Sequence, residues 1–153
     1  AVLTADCAPI LLFDRQKTII CSLHAGWKGS LLNIVGKTIK KLKTNNIKSN
    51  DIFAVIGPCL GTKNFEVDKL FKEKFIKKNN TYAKFFKYKN KYKDFFDMRG
   101  LINLQLNKEG INNIYNVKRN TYIDNNLFFS HRRANHQNKI STGRMINIIA
   151  LKD

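Results

Sequence analysis

Proline and glycine are scarce in this chain, at two and eight of 153 residues, and there are only three cysteines. These low counts exclude a collagen-like protein and a disulfide-stapled scaffold. Acidic residues are few as well: 11, against 28 lysines and arginines, for a formal net charge of +17. No apolar run approaches the roughly 18 residues that a membrane-spanning helix needs, so no membrane partner is expected. The apolar fraction, by contrast, is 43% and the aromatic fraction 11%, values of an ordinary globular chain and not of a low-complexity disordered one. The length suits one domain with its own core, and a single domain over 1–153 is expected. An odd cysteine count with no secretory signal predicts reduced thiols and a cytoplasmic location. Ala1-Val2-Leu3-Thr4 has no initiator methionine and begins in a strand-like apolar run, as a piece of a longer chain would.

The positive charge is unevenly spread. Residues 69–93 carry +9, whereas 1–30 and 94–119 carry +1 each. Lysine supplies 22 of the basic residues and arginine six, with Asn-Asn pairs and isoleucine also enriched, the joint signature of an A/T-rich coding sequence. A solvated, lysine-biased surface is the expectation for 69–93. A nucleic-acid patch is the lesser alternative, because recognition of bases and phosphates favours arginine forks.

Hydrophobic spacing predicts a β-hairpin from Ile10–Asp14 and Thr18–Ala25, with Arg15-Gln16-Lys17 as its turn. A helix opening at Gly29-Ser30 follows from Leu31, Ile34, Val35, Ile39 and Leu42, with Lys40, Lys41 and Lys43 at its C-terminal end, where the helix dipole favours cations. Ile52–Ile56 is a buried strand ending at Gly57-Pro58. Leu70, Phe71, Phe75 and Ile76 mark a short amphipathic helix, and Tyr82–Tyr92 an irregular segment. A helix runs from about Asp97 to Glu109 and is closed by Gly110. Short strands are expected at Ile114–Val117, Leu127–Ser130 and Met145–Leu151. The interleaving of strands and helices makes the class α/β or α+β.

Three segments hold more polar chemistry than a core requires: 4–9, 24–29, and 129–133 together with 142–144. Cys7 and His24 supply a thiolate and an imidazole, both good ligands for zinc or copper, and each is placed at a strand end. Sixteen intervening residues exclude a zinc knuckle. Along strand 18–25, Ile20, Ser22 and His24 share one face, which turns Cys21 toward core packing. Gly26 and Gly29 flank Trp27 and Lys28 before a helix. This is either an anion cradle or simply a tight strand-to-helix connection. Arg132, Arg133 and Arg144 are half of the arginines in a lysine-rich chain, which points to a need for fork geometry, for an oxyanion or a structural bridge. Arg132 and Arg133 are adjacent, so in a strand they would face opposite ways and at most one would reach the same site as Arg144. Cys59, with no nearby activating histidine or aspartate, is expected to be packing.

These blocks together resemble the laccase-domain, or multicopper polyphenol oxidase, family, of the purine nucleoside phosphorylase and adenosine deaminase type. They are Thr-Ala-Asp-Cys-Ala-Pro at 4–9, His-Ala-Gly-Trp-Lys-Gly at 24–29, Gly-Pro-Cys-Leu-Gly at 57–61, Phe-Glu-Val at 65–67, Phe-Phe-Ser-His-Arg-Arg at 128–133 and Thr-Gly-Arg-Met at 142–145. The match is weakest over 69–93. The resemblance implies a four-layer α/β/β/α sandwich with mixed sheets and one metal site of two histidines and one cysteine. Cys7 and His24 fall on two of its ligand positions. The remaining histidine lies upstream of the first block in the family, so the domain is expected to lack its N-terminal part here. His131 does not replace that ligand. Lys28 stands where arginine is more usual, and Asn120 where many members have cysteine.

The resemblance also implies a function. This is zinc-dependent phosphorolysis of adenosine, inosine or methylthioadenosine to free base and ribose 1-phosphate, with adenosine deamination at the same site. Lys28, Arg133 and Arg144 are candidates for binding phosphate and substrate. Asp6, beside Cys7, is a candidate general acid/base or ligand-orienting group. Copper is the alternative metal, for oxidation of phenols. A laccase-type oxidase needs several coppers, however, and three histidines cannot ligate them. A third alternative is a basic nucleic-acid module on 69–93, with Phe85, Phe86, Tyr88 and Tyr92 as stacking groups.

Overall fold

The computed structural model describes residues 1–152. Its centre is a four-stranded mixed sheet. Strand β1 (Val2–Thr4) lies beside that sheet, and β2 (Ala8–Asp14) pairs antiparallel with β3 (Ile20–Ala25) and with β4 (Ile52–Ile56). The hairpin turn is held by Asp14, whose carboxylate accepts from the backbone N–H groups of Gln16, Thr18 and Ile19 and from the Thr18 hydroxyl. Alternation along β2 and β4 turns Ile10, Leu12, Ala54 and Ile56 to one face, where all four are buried. Leu11, Phe13, Phe53 and Val55 are half-buried on the other face, with Phe13 and Phe53 stacked at 5.0 Å.

Two helices follow β3 where the sequence predicts one. They are α1 (Trp27–Leu31) and α2 (Ile34–Lys43). Asn33 breaks the run: it adopts φ +53°, and its side chain caps α2 by accepting from Gly36 N–H. Local hydrogen bonding by asparagine outcompetes the apolar period there. Val35, Ile39 and Leu42 of α2 pack on the buried side of the sheet together with Leu101, Ile102 and Leu106.

An aromatic part of the same core lies under β5 (Glu66–Asp68) and α3 (Lys69–Lys78). Residues 82–92, expected to be irregular, instead form a 3-10 turn over Asn80–Phe85 and strand β6 (Phe86–Tyr88), which pairs antiparallel with β7 (Lys93–Phe96). Phe86 lies opposite Phe96 with their rings stacked at 4.9 Å, and Phe71 and Phe75 of α3 complete the cluster. The buried Asp94 carboxylate is held by Lys69 at 2.9 Å and Lys72 at 3.5 Å.

Helix α4 (Met98–Lys108) is capped by Asp97 and followed by Gly110 at φ +84°, close to the expected span. Strand β8 (Asn113–Asn116) adds in parallel to β4, which makes the sheet mixed. Leu127–Ser130 is not a strand. Ser130 caps α5 (His131–His136) by accepting from Arg133 N–H, so both arginines of that block lie on a helix. The final strand, β9 (Met145–Asn147), is shorter than expected and pairs only with β1. The result is an α/β architecture of several sheets and helices, consistent with an α/β sandwich.

Candidate active site

Hairpin register sets Ala8 opposite Ala25 and Pro9 opposite His24. Cys7 immediately precedes β2 and His24 is the penultimate residue of β3, so antiparallel pairing brings thiol and imidazole to the same end of the sheet. Their convergence is measured at Gly26. A Cβ there would lie 2.9 Å from Cys7 Sγ and 3.9 Å from His24 Nε2. Any side chain at 26 would press on the sulfur, which gives this glycine a steric reason. A soft thiolate and an imidazole converging on one point fit a zinc or copper ion. Among the described residues no group of three histidine, cysteine or carboxylate side chains is close enough to hold an ion. Burial pushes the Cys7 thiol up, the neighbouring Asp6 carboxylate pushes it further up, and Arg144 pulls it down.

Asp6 is buried and sits at φ +82°, a left-handed conformation that needs support from its surroundings. That support is complete. Oδ1 accepts from the Thr121 hydroxyl at 2.6 Å, Oδ2 accepts from Arg132 N–H at 2.6 Å, and the Asp6 carbonyl accepts from Leu60 N–H at 2.9 Å. One residue thus ties the Cys7 strand to the 57–61 turn, to the 121 segment and to the first turn of α5.

Beside Cys7 lies a cavity of about 280 Å³. Trp27, Phe65, Leu60 and Met98 give it apolar walls; Cys7, His131, Arg132 and Asn135 give it polar ones. Asn135 Nδ2 and His131 Nε2 are 3.2 Å apart on α5.

The expected cation positions divide. Arg132 Nη1 and Nη2 both donate to the Glu66 carbonyl at 3.1 Å, with the group over the Phe65 ring. Arg133 donates to the carbonyls of Thr121, Tyr122 and Phe128 at 2.6, 2.9 and 2.5 Å. Its fork therefore fixes the 121–128 loop and is not directed at an anion. Arg144 Nη1 donates to Thr142 and Gly143 carbonyls in its own exposed loop. Lys28 is exposed, with Nζ 5.5 Å from the centre of the Trp27 ring.

A model of the family described as multi-copper polyphenol oxidoreductase laccase matches residues 1–152. The chain belongs to this laccase family. A purine nucleoside phosphorylase of Rickettsia conorii is 32% identical over 99% of the chain and 63% of that protein. Purine nucleoside phosphorylase YfiH of Escherichia coli is 34% identical over 99% of the chain and 58% of that protein. Among solved structures, a Neisseria meningitidis protein matches with a TM-score of 0.80 at 31% identity, covering 86% of this chain and 53% of that one. A YfiH protein of Bacillus licheniformis matches with 0.82 at 28%, covering 93% and 53%. The laccase-family chain described here thus spans about six tenths of the length of the curated relatives it matches.

The other two cysteines are packing groups. Cys21 is half-buried against the core. Cys59 is buried, accepts from Arg99 Nη2 at 3.1 Å and has its thiol pushed up to about 11 by burial. At Asn120, Oδ1 accepts from Gly61 and Tyr122 N–H while Nδ2 donates to Asn64. Asparagine there joins the 57–64 turn to the 120 segment without a thiol. Sequence reasoning does not find Phe65, Met98 or Asn135 as cavity walls: Phe65 lies in a family block but without an assigned role, no local motif marks the other two, and only the packing of α4 and α5 brings those there. No helix among the described residues is long and apolar enough to cross a membrane.

Proposed function

We propose that this chain is the greater part of a zinc-dependent purine nucleoside phosphorylase that also deaminates adenosine, with adenosine, inosine and methylthioadenosine as substrates. The observation that carries this reading is the convergence of Cys7 Sγ and His24 Nε2 at Gly26, beside a cavity walled by Trp27 and Phe65. Aromatic walls suit a flat heterocycle. The printed names of the relatives supply the substrate class.

Cys7 and His24 would hold the metal, with the second histidine coming from outside these residues as the resemblance implies. Bound there, zinc supplies Lewis acidity and a lowered pKa for a coordinated water, about 7. In phosphorolysis a phosphate oxygen bonds to C1′ of the ribose. The glycosidic bond breaks with its electron pair going to the base, which takes up a proton from solvent, leaving ribose 1-phosphate. Lys28 and Arg144 are the cations proposed for the phosphate. Arg133 holds the 121–128 loop and Asp6 acts by position, since its two oxygens already have donors.

The test incubates the full-length protein with adenosine or inosine and phosphate. Free base and ribose 1-phosphate are expected, along with inosine from adenosine, and Cys7→Ala should abolish both products. Absence of any product from the intact protein, or an unaffected Cys7→Ala variant, ends the proposal. Metal analysis of protein purified without added metal separates zinc from the copper alternative.

A further inference from the structure

Arg132 in the cavity wall and its neighbour Arg133 have protein acceptors, but two lysines against the Trp27 ring do not. Lys74, on α3, places Nζ 6.0 Å from the centre of the Trp27 ring; Lys28, from α1, places its own 5.5 Å from the same ring. Among the described residues neither ammonium has a carboxylate within ion-pair distance or a hydrogen-bond acceptor. The nearby Lys69 and Lys72 are paired with Asp94, and Lys89 and Lys93 with Glu66. Two unpaired ammonium groups within 6.0 Å of one indole centre make a local positive field, and an anion at the ring neutralises it. The indole forms part of the cavity wall. It is held from behind by Phe71 of α3, at 5.3 Å between rings, so α3 cannot shift away from Trp27 without disrupting the aromatic core.

We propose that Lys28 and Lys74 form a two-lysine clamp for an oxyanion at the Trp27 wall, and that its ligand is the phosphate co-substrate. Identifying that ligand rests on the proposed phosphorolysis; the anion site itself does not. Lys74 comes from the stretch where the family resemblance is weakest and the charge is densest. In this chain it adds, beside Lys28, a cation that Arg133, committed to three carbonyls, cannot supply.

The chain has one tryptophan, which makes Trp27 its own reporter. Inorganic phosphate is titrated into the full chain at constant ionic strength, with chloride as the reference anion, and indole emission is recorded. Saturable change with phosphate but not chloride is expected. Lys74→Gln and Lys28→Gln should each weaken the phosphate constant on the order of tenfold, the value of one charge-assisted hydrogen bond. Lys77→Gln, an exposed change on the same helix, should leave it unchanged. In turnover, Lys74→Gln should raise KM for phosphate and leave KM for the nucleoside near its original value. Emission that ignores phosphate, that answers chloride equally, or that is the same in Lys74→Gln as in the parent overturns the clamp. A chain that binds phosphate through both lysines but releases no base supports the clamp and overturns the phosphorolysis reading instead.

Discussion

The arginine helix α5 lines the cavity, the lysine-rich helix α3 packs against its Trp27 wall, and the two use their cations in opposite directions. Arg132 and Arg133 turn inward and end on four backbone carbonyls, those of Glu66, Thr121, Tyr122 and Phe128. Lys74 turns outward, over the Trp27 ring, with no acidic partner among the described residues. A planar fork with five donors can satisfy several fixed acceptors at once, which suits it to a loop whose carbonyls would otherwise be left unpaired. A lysine ammonium is a compact charge on a flexible stem. It remains available to a ligand that comes and goes. From composition, arginine in a lysine-biased chain looks functional and the lysines look incidental. In the fold Arg132 and Arg133 are structural ties, and the unpaired cations at the Trp27 wall are lysines.

The sharpest way to break the contrast is Arg133→Ala. With three carbonyls left without their donor, unfolding by urea should show a loss of about 4 kcal/mol. Arg133→Lys should recover little of it, because one ammonium cannot reach three acceptors. A variant of full stability with a raised KM would return Arg133 to the substrate.

Asp6 extends the comparison to carboxylates. Asp6→Ala removes both acceptors and should cost about 3 kcal/mol. Asp6→Asn should keep most of that stability, since the Thr121 hydroxyl can accept from the amide while Arg132 N–H still finds an oxygen. If Asp6 acts by position, Asp6→Asn retains activity within a few-fold. A general acid/base would lose about 100-fold or more in kcat.

Asp14 gives the pH arm. Burial would push its carboxyl up, but hydrogen bonds from Ile19, Thr18 and Gln16 outweigh this and hold it below the usual aspartate range. A folded pKa below the unfolded one means this stability is fully present above the unfolded value, near 3.9, and lost as pH falls through the folded value. Asp14→Ala should cost about 2 kcal/mol at pH 7. It should also flatten the acid limb of a stability–pH curve, whereas an unchanged limb would assign acid sensitivity elsewhere.

The smallest effect is that of salt. Raising ionic strength to about 0.5 M should weaken phosphate binding at the exposed lysines several-fold. The buried contacts of Asp6 and Arg133 should barely respond. Equal salt sensitivity of stability and of phosphate affinity would erase the distinction between the two regions.

Much of the fold was legible in local sequence. The hairpin over 10–25 follows from alternation and a polar turn. The helix over 98–108 follows from Asp97 and Gly110, whose capping roles depend only on their near neighbours. The misreadings share a cause. Leu127 and Phe129 look like a strand, yet both are exposed, and Ser130 makes a helix cap. Residues 86–88 show no period because their partner is β7, and the register that buries Phe86 against Phe96 is a long-range choice. Cys7 and His24 were legible as ligand types at strand ends. Their meeting at Gly26 required the register of β2 on β3.

By itself the sequence determined which groups this protein has to work with. These are a thiol and an imidazole at the ends of hairpin strands, a glycine-flanked turn at 26–29 just after the imidazole, and a dense run of lysines in 69–93. Only the tertiary structure decided what each of them faces. The donors and acceptors a side chain carries are set by its chemistry, but its partner is set by segments far away in the chain. Arg133 ends on carbonyls of 121–128, Asp6 on Thr121, and Lys74 above Trp27 because separate elements pack where their apolar faces are best buried.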